Sequence, residues 1–204
     1  MNPNSAPPIE LDRQLEIVTQ QVIRASIYFD LWWFYQSADT RPRIVNTLND
    51  FGDFFRFDEH AQFVSMIIHC GAIWDNTNGA VGLVTLSRKI LDPKKSISDK
   101  AISEKILKYQ SEAAALITIR NEAIAHRSAT FDYSDAFKRA QLVPGTLPKA
   151  MASWLIVINE LRAKRNLHEE AFSTGPLDDA RRLVHSLGGP NMTPRSDFAD
   201  IFES

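Results

Sequence analysis

Apolar residues recur every three or four positions along most of this chain, which is the spacing of one face of an α-helix. Leu11, Leu15 and Val18 begin the pattern, and similar apolar faces follow at intervals up to residue 186. Glycine is scarce, and Asn78-Gly79 lies between two helical patterns rather than between alternating strands. The pattern therefore predicts an all-α fold. The predicted helices cover residues 9–37, 42–50, 59–74, 80–91, 98–127, 134–141, 147–168 and 176–186.

Local signals place several of these boundaries. Pro42 suits the first turn of a short helix, and Asp58 is a predicted N-cap for the helix that follows. Between them, Gly52 and its phenylalanine neighbours predict an apolar turn. These neighbours are Phe51, Phe54, Phe55 and Phe57.

The length of 204 residues suits one domain, which we expect over residues 9–187, with a flexible N-terminus at 1–8 and a C-terminal tail at 188–204. The chain is 44% hydrophobic, yet no stretch reaches the length of a membrane span. The N-terminus shows no export signal, so we expect a cytoplasmic protein that does not contact the membrane.

The formal net charge of −2 excludes a generally basic nucleic-acid-binding protein. Contact with a polyanion would have to rely on local clusters. Arg162, Lys164 and Arg165 form one such cluster, and Arg181 with Arg182 forms another. Each is either a phosphate-attracting patch or a solvated helix surface.

No pattern in the chain indicates a metal or cofactor site. The single cysteine, Cys70, is expected in the core, and the histidines lack the spacing of a zinc site. Phosphate-binding glycine loops, dinucleotide fingerprints and nucleophile elbows are also missing from the sequence. We therefore expect neither a cofactor nor a metal.

The strongest chemical signal lies late in the long predicted helix 98–127. Arg120 falls on the apolar stripe of this helix, where a guanidinium cannot lose its charge and needs an anionic partner, a ligand or a water-filled cleft. Asn121, Glu122, His126 and Arg127 follow it. This group combines a cation, an amide, a carboxylate and an imidazole.

The run from Arg120 to His126 resembles the R-[polar]-x4-H signature of the HEPN superfamily, and its context is similar to the AbiU-like branch associated with abortive infection. The order of helices agrees with this branch over about 9–168, including the segment 83–90 ahead of the motif. The resemblance implies a HEPN-like bundle of long antiparallel helices with short accessory helices. It also implies a metal-independent endoribonuclease that acts as a toxin or phage-defence effector.

The residue types suit this chemistry. His126 can serve as general acid or base, Arg120 can grip phosphate oxygens, and Asn121 can orient the ribose, the phosphate or the arginine. Glu122 lies one helical turn before His126 and can orient its ring, while Arg127 shares a helix face with Arg120. We expect catalytic roles for Arg120, Asn121 and His126 and supporting roles for Glu122 and Arg127.

The geometry of a helix predicts a dimer. Six residues turn through about 600° and rise about 9 Å, so one helix does not easily focus Arg120 and His126 on a single phosphate. Two copies packed antiparallel across a two-fold axis, stripe against stripe, would bring both pairs to one cleft. The expected partners are thus a second copy and RNA, and an antitoxin or a nucleotidyltransferase is left open.

Three other interpretations compete with a nuclease. The motif could be an ordinary helix-end cluster in which Arg120 pairs with a buried carboxylate such as Asp30 or Asp75. It could belong to a non-catalytic HEPN-like module that dimerises or binds RNA or a nucleotide. It could also lie on a helical scaffold unrelated to HEPN proteins.

Overall fold

The computed structural model describes residues 10–75, 80–91, 97–121 and 133–188. Every regular element in these ranges is helical, which confirms the all-α prediction. The elements are α1 (Leu11–Gln36), α2 (Arg41–Asp50), α3 (Gly52–Ile73), α4 (Leu83–Ile90), α5 (Ile97–Lys108), α6 (Gln110–Arg120), α7 (Tyr133–Arg139), a 3-10 helix (Pro144–Thr146), α8 (Leu147–Ala163) and α9 (Gly175–Leu187).

The predicted apolar turn after α2 is wrong. Phe51 caps the C-terminus of α2, donating its N–H to the carbonyl of Thr47, and its own carbonyl accepts the N–H of Phe55 at 3.1 Å. Helix α3 therefore starts at Gly52, and Asp58 lies inside it rather than at its N-cap. On this helix Phe55 is buried, whereas Phe54 and Phe57 are exposed. Because phenylalanines lie on both faces, the segment shows no helical periodicity in the sequence.

The long helix predicted over 98–127 is interrupted. Tyr109, with φ −113° and ψ 25°, separates α5 from α6, although neither glycine nor proline stands nearby. Helix α5 packs on both α8 and α6. The predicted course of this helix from 122 to 127 lies outside the described residues.

Helix α8 ends earlier than predicted, at Ala163 instead of 168. Asn166 adopts a left-handed backbone with φ 56°, and the N–H of Leu167 donates to the carbonyl of Arg162 at 3.0 Å. This hydrogen bond closes the C-terminus of the helix.

The described chain forms two compact units. The first comprises residues up to Ala25 and Ile67–Ala171, and the second comprises Ser26–Met66 and residues from Phe172 onward. The single domain predicted over 9–187 stays a prediction, and both predicted termini fall largely outside the described residues.

In the first unit, α8 lies against α4, α5 and the 3-10 helix. Trp154 of α8 is fully buried and meets Trp74 edge to face, with ring centroids 5.6 Å apart. Leu15 and Val18 of α1 are also fully buried. Helix α6 belongs to the same unit, and its Leu116 and Ile119 are fully buried as well.

The second unit has its own aromatic core, in which α2 contacts α9. Tyr35 and Phe55 meet at 5.6 Å between ring centroids, and the Tyr35 hydroxyl donates to Asp58 Oδ2 at 2.9 Å. The core cluster consists of Phe34, Tyr35, Ile44, Leu48, Phe55 and Val184.

Candidate functional site

Arg120 is the last residue of α6 and continues the buried face of that helix. Ala113, Leu116 and Ile119 on this face are at most 2% exposed. An arginine two turns after Ala113 therefore points toward the same side, as the periodicity predicted. Its position in the last turn also suits the negative end of the helix dipole.

The same burial corrects one expectation. The apolar stripe of α6 was expected to pack against the stripe of a second copy, but Leu116 and Ile119 have no exposed surface in a single chain. The core of the subunit already covers this stripe. A second copy would have to meet α6 through other residues.

Gly71 of α3 provides the surface on which Arg120 lies. A Cβ built on Gly71 would lie 2.8 Å from Cδ of Arg120 and 3.1 Å from its Nη1. Such distances are shorter than ordinary van der Waals contacts, so the arginine side chain occupies the space that any larger residue would need. Sequence analysis missed this contact, although a glycine inside a helical pattern signals close packing.

The guanidinium of Arg120 is half-buried and is not neutralised by a described carboxylate. Within the described ranges, its one polar side-chain contact is a long hydrogen bond of 3.4 Å from Nε to Oδ1 of Asn121. The alternative in which Asp75 pairs with Arg120 is not found there.

The structure describes two of the five predicted site residues. Asn121 follows α6 directly, is exposed, and donates its backbone N–H to the carbonyls of Ile117 and Thr118. Glu122, His126 and Arg127 lie outside the described residues. The predicted link between Arg120 and an imidazole thus remains a prediction.

The cations of the basic cluster at the end of α8 are paired with carboxylates rather than left for phosphate. Arg162 is 5% exposed, and its Nη1 donates to Oε2 of Glu16 at 3.0 Å, while its Nη2 donates to Oε1 of Glu170 at 3.1 Å. Its Nε donates to the carbonyl of His168 at 2.5 Å. This buried cation ties α1 to the segment that follows α8.

The neighbouring cations are paired as well. Lys164 Nζ contacts Oδ1 of Asp99 at 2.5 Å, and Arg165 Nε contacts Oδ1 of Asp12 at 2.7 Å. Arg165 holds the pKa of Asp12 below its usual range through this hydrogen bond. In α9, Arg181 and Arg182 pair with Asp178 and Asp179. Both clusters predicted from sequence are thus balanced by carboxylates.

Cys70 lies in the core, as predicted. It is fully buried, and burial raises the pKa of its thiol to about 12, so it is not a thiolate at neutral pH. His69 contacts Oε1 of Gln21 through Nδ1 at 2.5 Å, and burial lowers the pKa of its ring. Across the described residues, no three metal-ligating side chains come together.

A comparison with protein families gives a match over most of the chain. The family model described as AbiU2, of the HEPN group, matches residues 9–162. No curated protein and no solved structure matches the chain. In the described part of the chain, no helix combines the length and the apolar character needed to cross a bilayer.

Proposed function

The chain belongs to the HEPN AbiU2 family, and on that premise we propose that it is a metal-independent endoribonuclease that acts in abortive infection as a cytoplasmic toxin. The observation that carries the proposal is the environment of Arg120. A permanently charged guanidinium is half-buried against Gly71 and has no carboxylate partner among the described side chains. Such a cation suits an anionic ligand, and RNA supplies phosphate.

The proposed reaction is cleavage by the neighbouring ribose. A base takes the proton of the 2′-hydroxyl, the 2′ oxygen attacks phosphorus, and the bond to the 5′ oxygen breaks as an acid protonates that oxygen. His126 serves as acid or base, and Arg120 stabilises the charge that gathers on the phosphoryl oxygens. Asn121 orients the phosphate or the ribose, with Glu122 and Arg127 in supporting roles.

We place the active site in a homodimer. One chain supplies a single Arg120 and a single His126, and a two-fold axis would supply a second pair without any further element. Light scattering of the purified protein should give twice the 23.1 kDa of one chain. A monomer that nevertheless cleaves RNA would remove the dimer from the proposal but not the chemistry.

The test is RNA cleavage by the full chain in excess EDTA. We expect His126→Ala and Arg120→Ala each to lower the cleavage rate by about a hundredfold or more. The matched controls are His168→Ala and Arg182→Ala, which remove an exposed histidine and an exposed arginine elsewhere. The products of the wild type should carry a cyclic phosphate at one new end and a 5′-hydroxyl at the other.

Two results would contradict this function. Cleavage that survives in the His126→Ala variant would assign the activity to a contaminant or to another site. RNA that binds in an Arg120-dependent way but stays intact would instead favour the non-catalytic module of the same fold. Circular dichroism of each variant separates loss of chemistry from loss of folding.

A further inference from the structure

A cavity of about 530 Å³ lies on the outward side of α6, away from the face of this helix that is buried in the core. The chain that follows α7 forms its other wall, and both walls belong to the same compact unit. The lining includes Ser111, Ala114 and Thr118 of α6 and, on the opposite wall, Gln141 and Val143. We call it the Thr118 cavity. Its volume is that of a site for a small ligand.

Hydrogen bonds at the end of α7 hold Gln141 in place. Its N–H donates to the carbonyl of Lys138 at 3.0 Å, and the N–H of Leu142 donates to the carbonyl of Phe137 at 3.0 Å. Gln141 thereby adopts a left-handed backbone with φ 53°, a conformation in which glycine commonly closes a helix. The exposed side chain of Gln141 brings an amide to the cavity, with both N–H donors and a carbonyl acceptor.

Two side chains of opposite charge line the cavity as well. Glu112 supplies a carboxylate, which accepts a hydrogen bond at Oε2 from Oγ of Ser111 at 2.8 Å, and each carboxylate oxygen can accept more than one such bond. Arg139 supplies a guanidinium with several N–H donors. Because the two charges offset each other, the cavity suits a neutral ligand that carries donors on one edge and acceptors on another.

We propose that the Thr118 cavity binds a guanine base of RNA. Among the four RNA bases, guanine alone carries N–H donors on two neighbouring ring positions, N1 and N2, together with acceptors at O6 and N7. The two donors match the two oxygens of the Glu112 carboxylate, and the acceptors match the donors of Gln141 and Arg139. Ala114 and Val143, which is 64% exposed, offer apolar surface to the faces of the ring.

The cavity lies beside the proposed catalytic residues. Thr118 and Asn121 are three positions apart at the end of α6, and residues at this spacing are neighbours on the surface of a helix. A base in the cavity would therefore place an adjoining phosphate toward Asn121 and Arg120. The guanine would then select the bond that is cleaved, a step that rests on the proposed function, whereas binding of the base does not.

The first experiment measures binding to the full chain without any cleavage. The four ribonucleoside 5′-monophosphates are compared by equilibrium dialysis, and guanosine monophosphate should bind about tenfold more tightly than the other three. Glu112→Gln should remove this preference, because the amide replaces one acceptor oxygen with a donor. The matched control is Glu104→Gln, which changes an exposed carboxylate of α5 and should leave the preference as it is.

Two further variants test the walls of the cavity. Gln141→Gly keeps the left-handed backbone, which glycine adopts readily, and removes the amide, so it should weaken guanosine monophosphate by about threefold without loss of stability. Ala114→Leu fills the cavity from an exposed position and should weaken this nucleotide by about tenfold or more. Ala101→Leu, at an exposed position of α5, is its matched control and should change nothing.

The second experiment sequences the ends of cleaved RNA. Guanine should stand next to the cut, and Glu112→Gln should spread the cuts over all four bases. Equal binding of the four monophosphates, or a preference that persists in Glu112→Gln, would overturn the inference. A smaller oligomer in Ala114→Leu with unchanged nucleotide binding would also overturn it and assign this surface to a second copy.

The outcomes for the cavity and for the nuclease can be told apart. Guanine binding that depends on Glu112, in a chain that leaves RNA intact, would contradict the nuclease and support the cavity. Cleavage that depends on His126 but shows no preference for guanine would support the nuclease and contradict the cavity.

Discussion

Arg120 lies across Gly71, so that a methyl group on the glycine would come within 2.8 Å of Cδ of the arginine. We predict that Gly71→Ala displaces the guanidinium, because the backbone of α3 is less able to move than a side chain. The rate of RNA cleavage should fall by about tenfold or more, since small misplacements of a catalytic group are costly. The free energy of unfolding should fall by about 1 kcal/mol.

Gly145→Ala is the matched control for that variant. A Cβ at Gly145 meets no heavy atom within 4 Å, so this change should leave the cleavage rate as it is. Full activity in Gly71→Ala would show that Arg120 does not depend on its position over the glycine. It would not by itself contradict the nuclease.

A second prediction concerns Arg162. Arg162→Met removes a buried cation and leaves Glu16 and Glu170 without their partner. Breaking a buried ion pair costs about 3 kcal/mol or more, and we expect the lower end because both carboxylates are partly exposed. Urea unfolding should measure the loss, with exposed Arg182→Met near the wild type as control. An unchanged midpoint would contradict a structural role for this arginine.

Gly82 gives a third prediction. A Cβ on this residue would lie 2.2 Å from the carbonyl oxygen of Asp75, which belongs to the backbone and cannot turn away. Gly82→Ala should therefore lower the free energy of unfolding by about 2 kcal/mol. Gly52→Ala, where the methyl group meets nothing, should be neutral or slightly stabilising. Equal stabilities of the two variants would be inconsistent with the close approach at Gly82.

The fourth prediction is a pH dependence. Burial raises the pKa of Asp30 above its ordinary value of 3.8, and the nearby Arg181 only partly opposes this. A carboxyl group with a higher pKa in the folded state favours folding when protonated, so this contribution is lost as the pH rises through the folded pKa. Asp30→Asn should thus be more stable than the wild type near neutral pH.

That advantage should vanish below pH 3.8, where the carboxyl group is protonated in both states. Denaturant unfolding at neutral and acid pH measures it. Asp39→Asn, at an exposed position, should show little difference at either pH. An advantage of Asp30→Asn that persists in acid would point to a cause other than charge.

Much of the fold was predictable because its signals are local. Pro42 and the periodicity of Leu11, Leu15 and Val18 fixed α1 and α2 to within a few residues. The turn predicted at Phe51–Phe57 failed for a physical reason. Phenylalanines on both faces of a helix erase the periodicity, and only the packing of Phe55 on Tyr35 shows which face is inside.

The candidate site was predictable only as a motif. The apolar periodicity through Leu116 placed Arg120 correctly on the inward face of its helix. The contact of Arg120 with Gly71 arises from tertiary packing, which the sequence pattern does not show. The sequence left open whether the cluster at Arg162 and Arg165 attracts phosphate or is a solvated surface, because the pairing carboxylates are distant in sequence. Arg165 and Asp12, for example, are 153 residues apart, and no local pattern connects them.

The hydrogen bond between Arg162 and Glu16 has a consequence for biosynthesis. It joins residues separated by 146 positions, and ribosomes add about 5–20 residues per second. The first helix is therefore translated about ten seconds before Arg162, its partner in this hydrogen bond. Gly71 and Arg120 belong to the same unit as this ion pair, so a nascent chain completes that unit only after residue 162 has been translated.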